Sequence, residues 1–298
     1  MTEDALWPRA SSWLIPDDSK ADLGVFGVPA HKTSISKTYA HKTPAAIRKA
    51  LQRYSTYNWT RRVDIRSITA TDFGDVRSPD SPEGEARTSA LANEVAAKTK
   101  LAIALGGDNS VTFAAARGTF GGDLSGAGLI TLDAHHDLRD GISNGSPVRR
   151  LIEAGLSGRH VVQIGIADFS NSPEYAKRAK DYGITVIPRS ELRRRNPKEI
   201  WAQALELAGE KNFVDFDMDV CDRSVVPGCP AAAPGGISAD EIRQFAFLAG
   251  ASQSVIGIDV TEIDLQSEEE KPVAVSITVP EFATPGSHFA GIFISMDP

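Results

Sequence analysis

The sequence has few cysteines, no long apolar run and no excess of positive charge. Its two cysteines, Cys221 and Cys229, form neither a disulfide framework nor a zinc motif, which favours a reducing, cytoplasmic location. No apolar run reaches the roughly 18 residues of a membrane-spanning helix, and the acidic N-terminal residues lack the apolar core of a secretory signal. Lys and Arg number 32 against 39 Asp and Glu. Because nucleic-acid binders are usually basic, we expect a small-molecule substrate and neither a nucleic acid nor a membrane as partner.

The pattern of apolar and polar residues predicts an α/β fold. Short apolar runs, such as 101–105 and 128–132, alternate with segments of helical composition, such as 83–100 and 239–250. Strands that are apolar on both faces are typical of parallel sheets covered by helices on both sides. No linker interrupts the alternation, so we predict a single domain over residues 1–298.

Three segments depart from this alternation. Residues 1–20 contain two Trp-Pro-rich stretches without a helical or strand period, and we expect an irregular leader. The polar stretch 72–76 is expected to be a loop. Residues 272–298 combine β-branched and aromatic residues with several prolines where the alternation would place a helix. We treat them as an atypical C-terminal segment.

Acidic and amide side chains follow four of the predicted strands. In open parallel sheets, ligands bind at the carboxyl ends of the strands. The residues found directly after these four strands are Asn109; Asp133, His135 and Asp137; Asp217 and Asp219; and Glu262. We therefore expect the functional site at this edge of the sheet.

The alternation of acids in two of these segments predicts a metal site. In extended backbone Asp133, His135 and Asp137 face one side, as do Asp217 and Asp219. Carboxylates at this density repel one another unless cations neutralise them, and two divalent cations would cancel four negative charges. Carboxylates with an imidazole suit Mn²⁺ best, with Fe²⁺, Co²⁺ or Ni²⁺ possible. A metal pair would activate a shared water, which predicts hydrolysis without a protein nucleophile.

A second interpretation of the same acids stays open, because acids after a strand are often solvated turn residues or helix caps. The neighbouring His136 is expected to face away from His135 and to serve in packing. A lone glycine pair such as Gly106-Gly107 indicates only a tight turn.

The segments together resemble the ureohydrolase family, which contains arginases, agmatinases and formimidoylglutamases, and they are most similar to its bacterial formimidoylglutamase branch. The stretches that carry the resemblance are GGDNS at 106–110, DAHHDLRD at 133–140, SNGSPVRRL at 143–151, IADFSNS at 166–172 and DMDVCDRSVVPGCPAAAPGG at 217–236. The resemblance implies a three-layer α/β/α, arginase-like fold with a mostly parallel central sheet. It also implies two Mn²⁺ ions per subunit and a homo-oligomer, a trimer or a hexamer.

The resemblance also implies roles for individual residues. The implied metal ligands are Asn109, Asp133, His135, Asp137, Asp217 and Asp219. Asn109 stands where arginases carry a histidine, so one ion is expected to be held weakly. The implied catalytic residues are Asp137, Glu262 and Asn144, and Asn144 also replaces an arginase histidine. The implied substrate-binding residues are Arg149, Arg150, Asn144, Ser170, Asn171 and Glu262.

The activity implied by this branch is hydrolysis of formimidoyl-L-glutamate to L-glutamate and formamide, in histidine degradation. Two alternatives remain at this point. The first is a guanidino-compound hydrolase that releases urea, against which Asn109 and Asn144 argue. The second is a metal-poor pseudoenzyme with a binding role, which Asn109 and the atypical C-terminal segment would fit.

Overall fold

Nine parallel strands form the central sheet of the protein, in a computed structural model that describes residues 4–17, 19–265, 273–278 and 291–296. In chain order the strands are Leu14–Pro16 (β1), Ala21–Val28 (β2), Tyr57–Asn58 (β3), Val63–Asp64 (β4), Ala70–Asp75 (β5), Thr99–Gly106 (β6), Ala127–Leu132 (β7), Val161–Ile166 (β8), Thr185–Pro188 (β9), Lys211–Asp217 (β10), Val255–Thr261 (β11), Val273–Thr278 (β12) and Gly291–Met296 (β13). The sheet order is β1-β5-β2-β6-β11-β10-β7-β8-β9, and each of its neighbouring pairs is parallel. The predicted parallel sheet is confirmed.

Six of the eight described α-helices begin at a capping residue or a proline. In chain order the helices are Thr43–Ala50 (α1), Pro82–Lys98 (α2), Val111–Thr119 (α3), Pro147–Glu153 (α4), Pro173–Tyr182 (α5), Arg189–Leu192 (α6), Pro197–Leu207 (α7) and Ala239–Ala251 (α8). Helices α3 and α6 have neither a side-chain cap nor a proline in the first turn. The side chains of Ser81, Ser172, Asn196 and Ser238 accept hydrogen bonds from the first turns of α2, α5, α7 and α8. Each cap satisfies a backbone N–H that has no partner within the helix. None of the described helices combines the length and the apolar character needed to cross a membrane.

Helices cover both faces of the sheet and bury one apolar cluster on each. Ile47 of α1, Ile200 of α7 and Phe245 of α8 belong to the first cluster. Val95 of α2 and Ala115 of α3 belong to the second. Burial of both faces of a sheet favours strands that are mostly apolar, which is why these strands appear in the sequence as short, largely apolar runs. The arrangement is the predicted three-layer α/β/α fold.

Three local predictions were wrong. The stretch 72–76 is mostly not a loop, because β5 extends to Asp75 and Arg48 bonds both Asp72 and Asp75. Within the expected irregular leader, residues 14–16 form β1 and pair with β5. Helix α3, residues 111–119, had no counterpart in the prediction. Its alanine-rich sequence lacks an alternation of apolar and polar residues, because eight of its nine residues are buried.

The atypical C-terminal segment contains two strands. Strand β12 pairs with β13 in an antiparallel ladder that is separate from the nine-stranded sheet. The β-branched residues of this stretch explain its preference for strand over helix. The remaining residues of the segment lie outside the described part of the chain. The two cysteines are buried and unpaired, as the sequence predicts.

Candidate metal centre

The four strands that end in acidic or amide residues are neighbours in the middle of the sheet. Their order is β6-β11-β10-β7, so the segments that follow them meet at one place. Asp217 lies opposite Thr261 in the pairing of β10 with β11, and Phe216 lies opposite Leu132 in the pairing of β10 with β7. This register brings Asp133, Asp217 and Glu262 to the same level. Residues 84 positions apart thus share one site, as predicted.

The acids and the histidine form two groups of ligand atoms that share one residue. Asp133, His135 and Asp219 form the first group, and Asp133, Asp137 and Asp217 form the second. Within each group one donor atom per residue lies within 4.8 Å of the others. Because Asp133 belongs to both, the two candidate ion positions are adjacent. Oδ2 of Asp133 is buried and accepts no hydrogen bond, as expected of an oxygen reserved for a cation.

Local hydrogen bonds, rather than extended backbone, direct these side chains. Oδ1 of Asp133 accepts from the backbone N–H of His135 at 2.6 Å, and Oδ1 of Asp217 accepts from that of Asp219 at 2.9 Å. Both are bonds from an Asp to the N–H two residues on, the pattern of an Asx turn. Asp137 adopts a left-handed conformation with φ +53°. The predicted alternation in extended backbone was therefore wrong, although the side chains do converge.

A third bond joins the two loops. Oδ1 of Asp219 accepts from the backbone N–H of Ala134 at 3.1 Å, and its Oδ2 lies 2.8 Å from Nδ1 of His135. The loop after β7 and the loop after β10 are thereby held in contact through Asp219. In both motifs, D-x-H and D-x-D, the first aspartate accepts a hydrogen bond that shapes the loop. This bond positions the second ligand of the motif, which lies two residues on.

The electrostatics of the site are unfavourable without a cation. Burial and the neighbouring Asp219 raise the pKa of Asp133 to about 7. Burial also raises the pKa of Asp137 and of Asp217 well above the usual range. Burial works to lower the pKa of His135, but Asp219 and Asp133 outweigh it and raise that pKa to about 12. A divalent cation would offset both the burial of these carboxylates and their mutual repulsion, so the donor set fits one.

Asn109 lies at the edge of this cluster and points its amide towards it. Its Nδ2 donates to Oδ2 of Asp137 at 2.6 Å, while its Oδ1 accepts from the hydroxyls of Thr112 and Thr261, each at 2.8 Å. A half-turn of the amide would present the oxygen to the cluster, and the threonine hydroxyls can accept as well as donate. The role of Asn109 as a metal ligand stays a prediction.

Glu262 faces the cluster from the end of β11 and is held on one oxygen. Oε1 accepts from the backbone N–H of Asn109 at 2.7 Å and from Nδ2 of Asn144 at 2.9 Å. Burial raises the pKa of Glu262 to about 8. Among the described residues, both bonds to this carboxyl end on Oε1, which leaves Oε2 for a bound molecule. Asn144 also accepts from the backbone N–H of Ile35 at 3.1 Å, so it joins Glu262 to the loop after β2.

Three residues predicted to bind substrate, Arg149, Arg150 and Asn171, make hydrogen bonds or ion pairs within the protein. Arg149 bonds the carbonyls of Arg139 and Gly141 and pairs with Glu153, so it braces the loop after β7. Arg150 pairs with Glu85 at 2.7 Å.

The guanidinium of Arg150 also stacks 3.7 Å from the ring centroid of Phe113, which places it among α2, α3 and α4. Asn171 accepts from the N–H of His136 and donates to the carbonyl of Ala134, each at 2.9 Å. The substrate-binding roles of Arg149, Arg150 and Asn171 stay predictions, and a substrate would have to compete with these contacts. Ser170, half-buried beside Asn171, remains a candidate.

His136 packs away from the cluster, as predicted. Its Nδ1 lies 2.7 Å from Oε1 of Gln163, and it is buried. A second buried acidic pair, Asp215 and Asp259, was given no role in the prediction; the two residues lie opposite each other on β10 and β11. Burial raises the pKa of Asp259 to about 7 and that of Asp215 well above its usual range. Asp215 lies two residues before Asp217, and Asp259 lies three residues before Glu262. These positions were the signal in the sequence that could have indicated the pair.

Fold and site together define a class of protein: a three-layer α/β/α protein with an acidic, metal-competent centre at the carboxyl edge of a parallel sheet. Comparison with known families agrees. The arginase family model matches residues 21–279, and the chain belongs to the arginase family.

Curated relatives of the chain include several formimidoylglutamases. That of Halalkalibacterium halodurans is 37% identical over 279 residues, covering 86% of this chain and 84% of the relative. That of Bacillus subtilis is 31% identical over 252 residues, covering 80% and 79%. More distant relatives at 26–28% identity include a guanidinopropionase and agmatinases.

Solved structures give the same picture. The formimidoylglutamase of Bacillus subtilis superposes with a TM-score of 0.82 at 29% identity, covering 89% of this chain and 86% of that one. The Trypanosoma cruzi formiminoglutamase with Mn²⁺ superposes with a TM-score of 0.80 at 29% identity, covering 89% and 93%. The protein is thus similar to enzymes of the linear-amidine-hydrolysing branch over most of its length.

Proposed function

We propose that the protein is a metal-dependent hydrolase that converts formimidoyl-L-glutamate and water to L-glutamate and formamide. The observation that carries the chemistry is the pair of ligand groups that share Asp133, with the carboxyl of Glu262 beside them. The substrate is supported by the formimidoylglutamase relatives at 37% and 31% identity. In the reaction, water adds to the formimidoyl carbon and the bond from that carbon to the glutamate nitrogen breaks.

The residues present fit two Mn²⁺ ions. Asp133, His135 and Asp219 would hold one, and Asp133, Asp137 and Asp217 the other, with Asn109 as a weaker ligand at the second position. The preference for Mn²⁺ is supported by the oxygen-rich donor set and by the Trypanosoma cruzi neighbour. When bound, such a pair supplies Lewis acidity and lowers the pKa of a shared water.

Glu262 would bind the substrate's amidinium group. A formimidoyl group is cationic near neutral pH, and a carboxylate opposite it forms charge-assisted hydrogen bonds. Oε1 is fixed by Asn109 and Asn144, so Oε2 is presented in a defined direction. Asn144 orients this carboxyl through one N–H of its Nδ2, and the second N–H of the same amide is available to donate to the substrate.

Product analysis tests this proposal. The protein is loaded with Mn²⁺ and incubated in parallel with formimidoyl-L-glutamate, arginine, agmatine and guanidinobutyrate, and formamide, glutamate and urea are measured. We expect formamide and glutamate from the first substrate and no urea from the others. Urea without formamide would establish a guanidino-compound hydrolase instead. Elemental analysis after loading tests the metal count, and less than about half an ion per chain would contradict a binuclear hydrolase.

The remaining expectations are proposals that need separate measurements. We propose that the protein acts on a small molecule without a nucleic-acid or membrane partner, and that it assembles as a trimer or a hexamer. Light scattering of the Mn²⁺-loaded protein measures the mass of the assembly. We also propose a cytoplasmic location, which cell fractionation tests.

A further inference from the structure

Glu262 has an unusual backbone conformation that must be held by its surroundings. Five non-glycine residues in the described part of the chain have positive φ, and Glu262 is one of them, with φ +62°. Arg62, Ser78 and Phe169 are exposed, whereas Asp137 and Glu262 are buried in the site. A non-glycine residue in this region is strained and persists only where neighbouring contacts fix it. The contacts that fix Glu262 therefore determine where its carboxyl points.

The backbone is fixed on both sides of Glu262. Before it, the N–H of Glu262 donates to the carbonyl of Gly107 at 2.9 Å. After it, the hydroxyl of Thr43 donates to the carbonyl of Ile263 at 2.6 Å. Oδ1 of Asp264 then accepts from the N–H of Tyr39 at 3.0 Å.

Thr43 and Asp264 are both buried, and neither belongs to the metal cluster. Thr43 is the first residue of α1, and Tyr39 lies just before that helix. The start of α1 and the loop before it therefore clamp the residues that directly follow Glu262. Removal of the Thr43 hydroxyl leaves the carbonyl of Ile263 without this hydrogen bond, and removal of the Asp264 carboxylate does the same to the N–H of Tyr39.

We propose that Thr43 and Asp264 are positioning residues for Glu262, which hold its left-handed backbone so that the carboxyl faces the substrate. The inference rests on the proposed function, because it assigns Glu262 the amidinium. Loss of either bond allows the backbone to relax towards a right-handed conformation, which turns the Cα–Cβ bond and displaces the carboxyl. Displacement of about 1 Å lowers turnover by roughly a hundredfold in well-positioned sites.

The test compares Thr43→Val, which removes the hydroxyl, with Thr43→Ser, which keeps it. Thr119→Val is the matched control, because Thr119 is buried and its hydroxyl donates to the carbonyl of Ala115 at 2.8 Å. Thr119 lies at the far end of α3, beside Gly257 in the first half of β11. We measure kcat, KM, bound metal and thermal stability for each Mn²⁺-loaded variant.

We expect Thr43→Val to lower kcat roughly tenfold to a hundredfold, with bound metal unchanged and a smaller change in KM. Thr43→Ser should restore most of kcat, and Thr119→Val should lose stability but keep kcat. A Thr43→Val protein with the kcat of the wild type would overturn the proposal. If Thr43→Val does not fold, the pair Asp264→Leu and Asp264→Asn decides in the same way, because Asn keeps an acceptor for Tyr39. Wild-type turnover is measured first, so absence of formamide release there refutes the proposed function and not the positioning role.

Discussion

Two acidic clusters at strand ends of the same sheet are neutralised in different ways. At the end of β5, Arg48 bonds Asp72 through Nε and Nη2, at 2.6 and 2.7 Å, and Asp75 through Nη1 at 2.6 Å. At the ends of β7 and β10, four buried carboxylates meet, and within the described residues only His135 supplies a cationic nitrogen to them. The protein thus provides its own cation at the first cluster and leaves most of the charge unbalanced at the second.

The difference shows how a metal centre can be distinguished from a structural ion-pair cluster. A carboxylate that has a fixed guanidinium beside it, such as the half-buried Asp72, is already satisfied, whereas a buried one with an unpartnered oxygen, such as Asp133 Oδ2, needs a ligand or a proton. The raised pKa values of Asp133, Asp137 and Asp217 express the same need. Substitutions in the two clusters should therefore have different consequences: loss of metal and turnover in one, and loss of stability alone in the other.

The largest effect is expected from Asp133→Ala. Asp133 belongs to both ligand groups, so its removal should abolish metal binding at both positions and reduce turnover to background. The measurement is metal content by elemental analysis together with formamide release.

Asp72→Ala is the matched control for Asp133→Ala in the other cluster. It should leave metal content and turnover intact and lower the free energy of unfolding by about 1–2 kcal/mol, because Arg48 loses one of its two partners. If Asp133→Ala keeps its full metal content, the cluster around Asp133 is not a metal centre and the two clusters do not differ in function.

The second largest effect is expected from Glu262→Gln. The glutamine oxygen can still accept from Asn109 and Asn144, so the local structure should be kept while the charge opposite the amidinium is lost. We expect kcat/KM to fall on the order of 10²–10³-fold, as when one charge-stabilising group is removed from an active site. Metal content should stay at the wild-type level. If Glu262→Gln loses its metal as well, Glu262 is a metal ligand rather than a substrate-binding residue.

The location of the site could be predicted from the sequence because strand ends are local features. Each run of apolar residues marks a strand, and the acids that follow it mark the carboxyl edge, as Asp133 and Asp217 do. The meeting of these segments depends on β6, β11, β10 and β7 being neighbours, which the sequence does not state. The resemblance to a known family supplied that part.

The contacts of Arg149 and Arg150 within the protein could not be predicted, because they depend on how the chain folds around these residues. Arg149 and Arg150 both follow the loop after β7, and a cationic side chain near a site suggests a binder. The structure shows Arg149 holding carbonyls of that loop and Arg150 paired with Glu85 of α2. Glu85 lies 65 residues before Arg150, and nothing in either segment indicates the pair.

A pH-dependent gain in stability on metal binding is expected to be the next effect in size. In the metal-free protein, the pKa of Asp133 is raised to about 7, against about 3.9 in an unfolded chain. The folded state therefore binds more protons than the unfolded state between about pH 4 and 7, and its stability falls as pH rises through this window. The raised pKa of His135 acts in the same direction above about pH 6.5.

Mn²⁺ replaces these protons, so its stabilising effect should grow with pH. Thermal unfolding with Mn²⁺ and with EDTA at pH 5.5, 6.5 and 7.5 measures the gain. We expect the difference in Tm to rise by several degrees over this range, and each 1 kcal/mol corresponds to roughly 2–4 °C for a domain of this size. The gain should disappear in Asp133→Ala. A difference in Tm that is constant with pH would mean that the cluster carries no titrating protons for the metal to displace.

The smallest effect is expected from Asn109→His, which changes the strength of one ligand. The amide of Asn109 is shared between Asp137 and the hydroxyls of Thr112 and Thr261, so it offers the cluster a weak donor at most. An imidazole binds Mn²⁺ better than an amide, and we expect the affinity of the weaker ion to increase on the order of tenfold. Calorimetric titration of the metal-free protein with Mn²⁺ measures the affinities of both ions. Asn109→Ala is the control and should weaken the same ion. If both variants bind the two ions as the wild type does, Asn109 is not a ligand, and its hydrogen bond to Asp137 only orients that carboxylate.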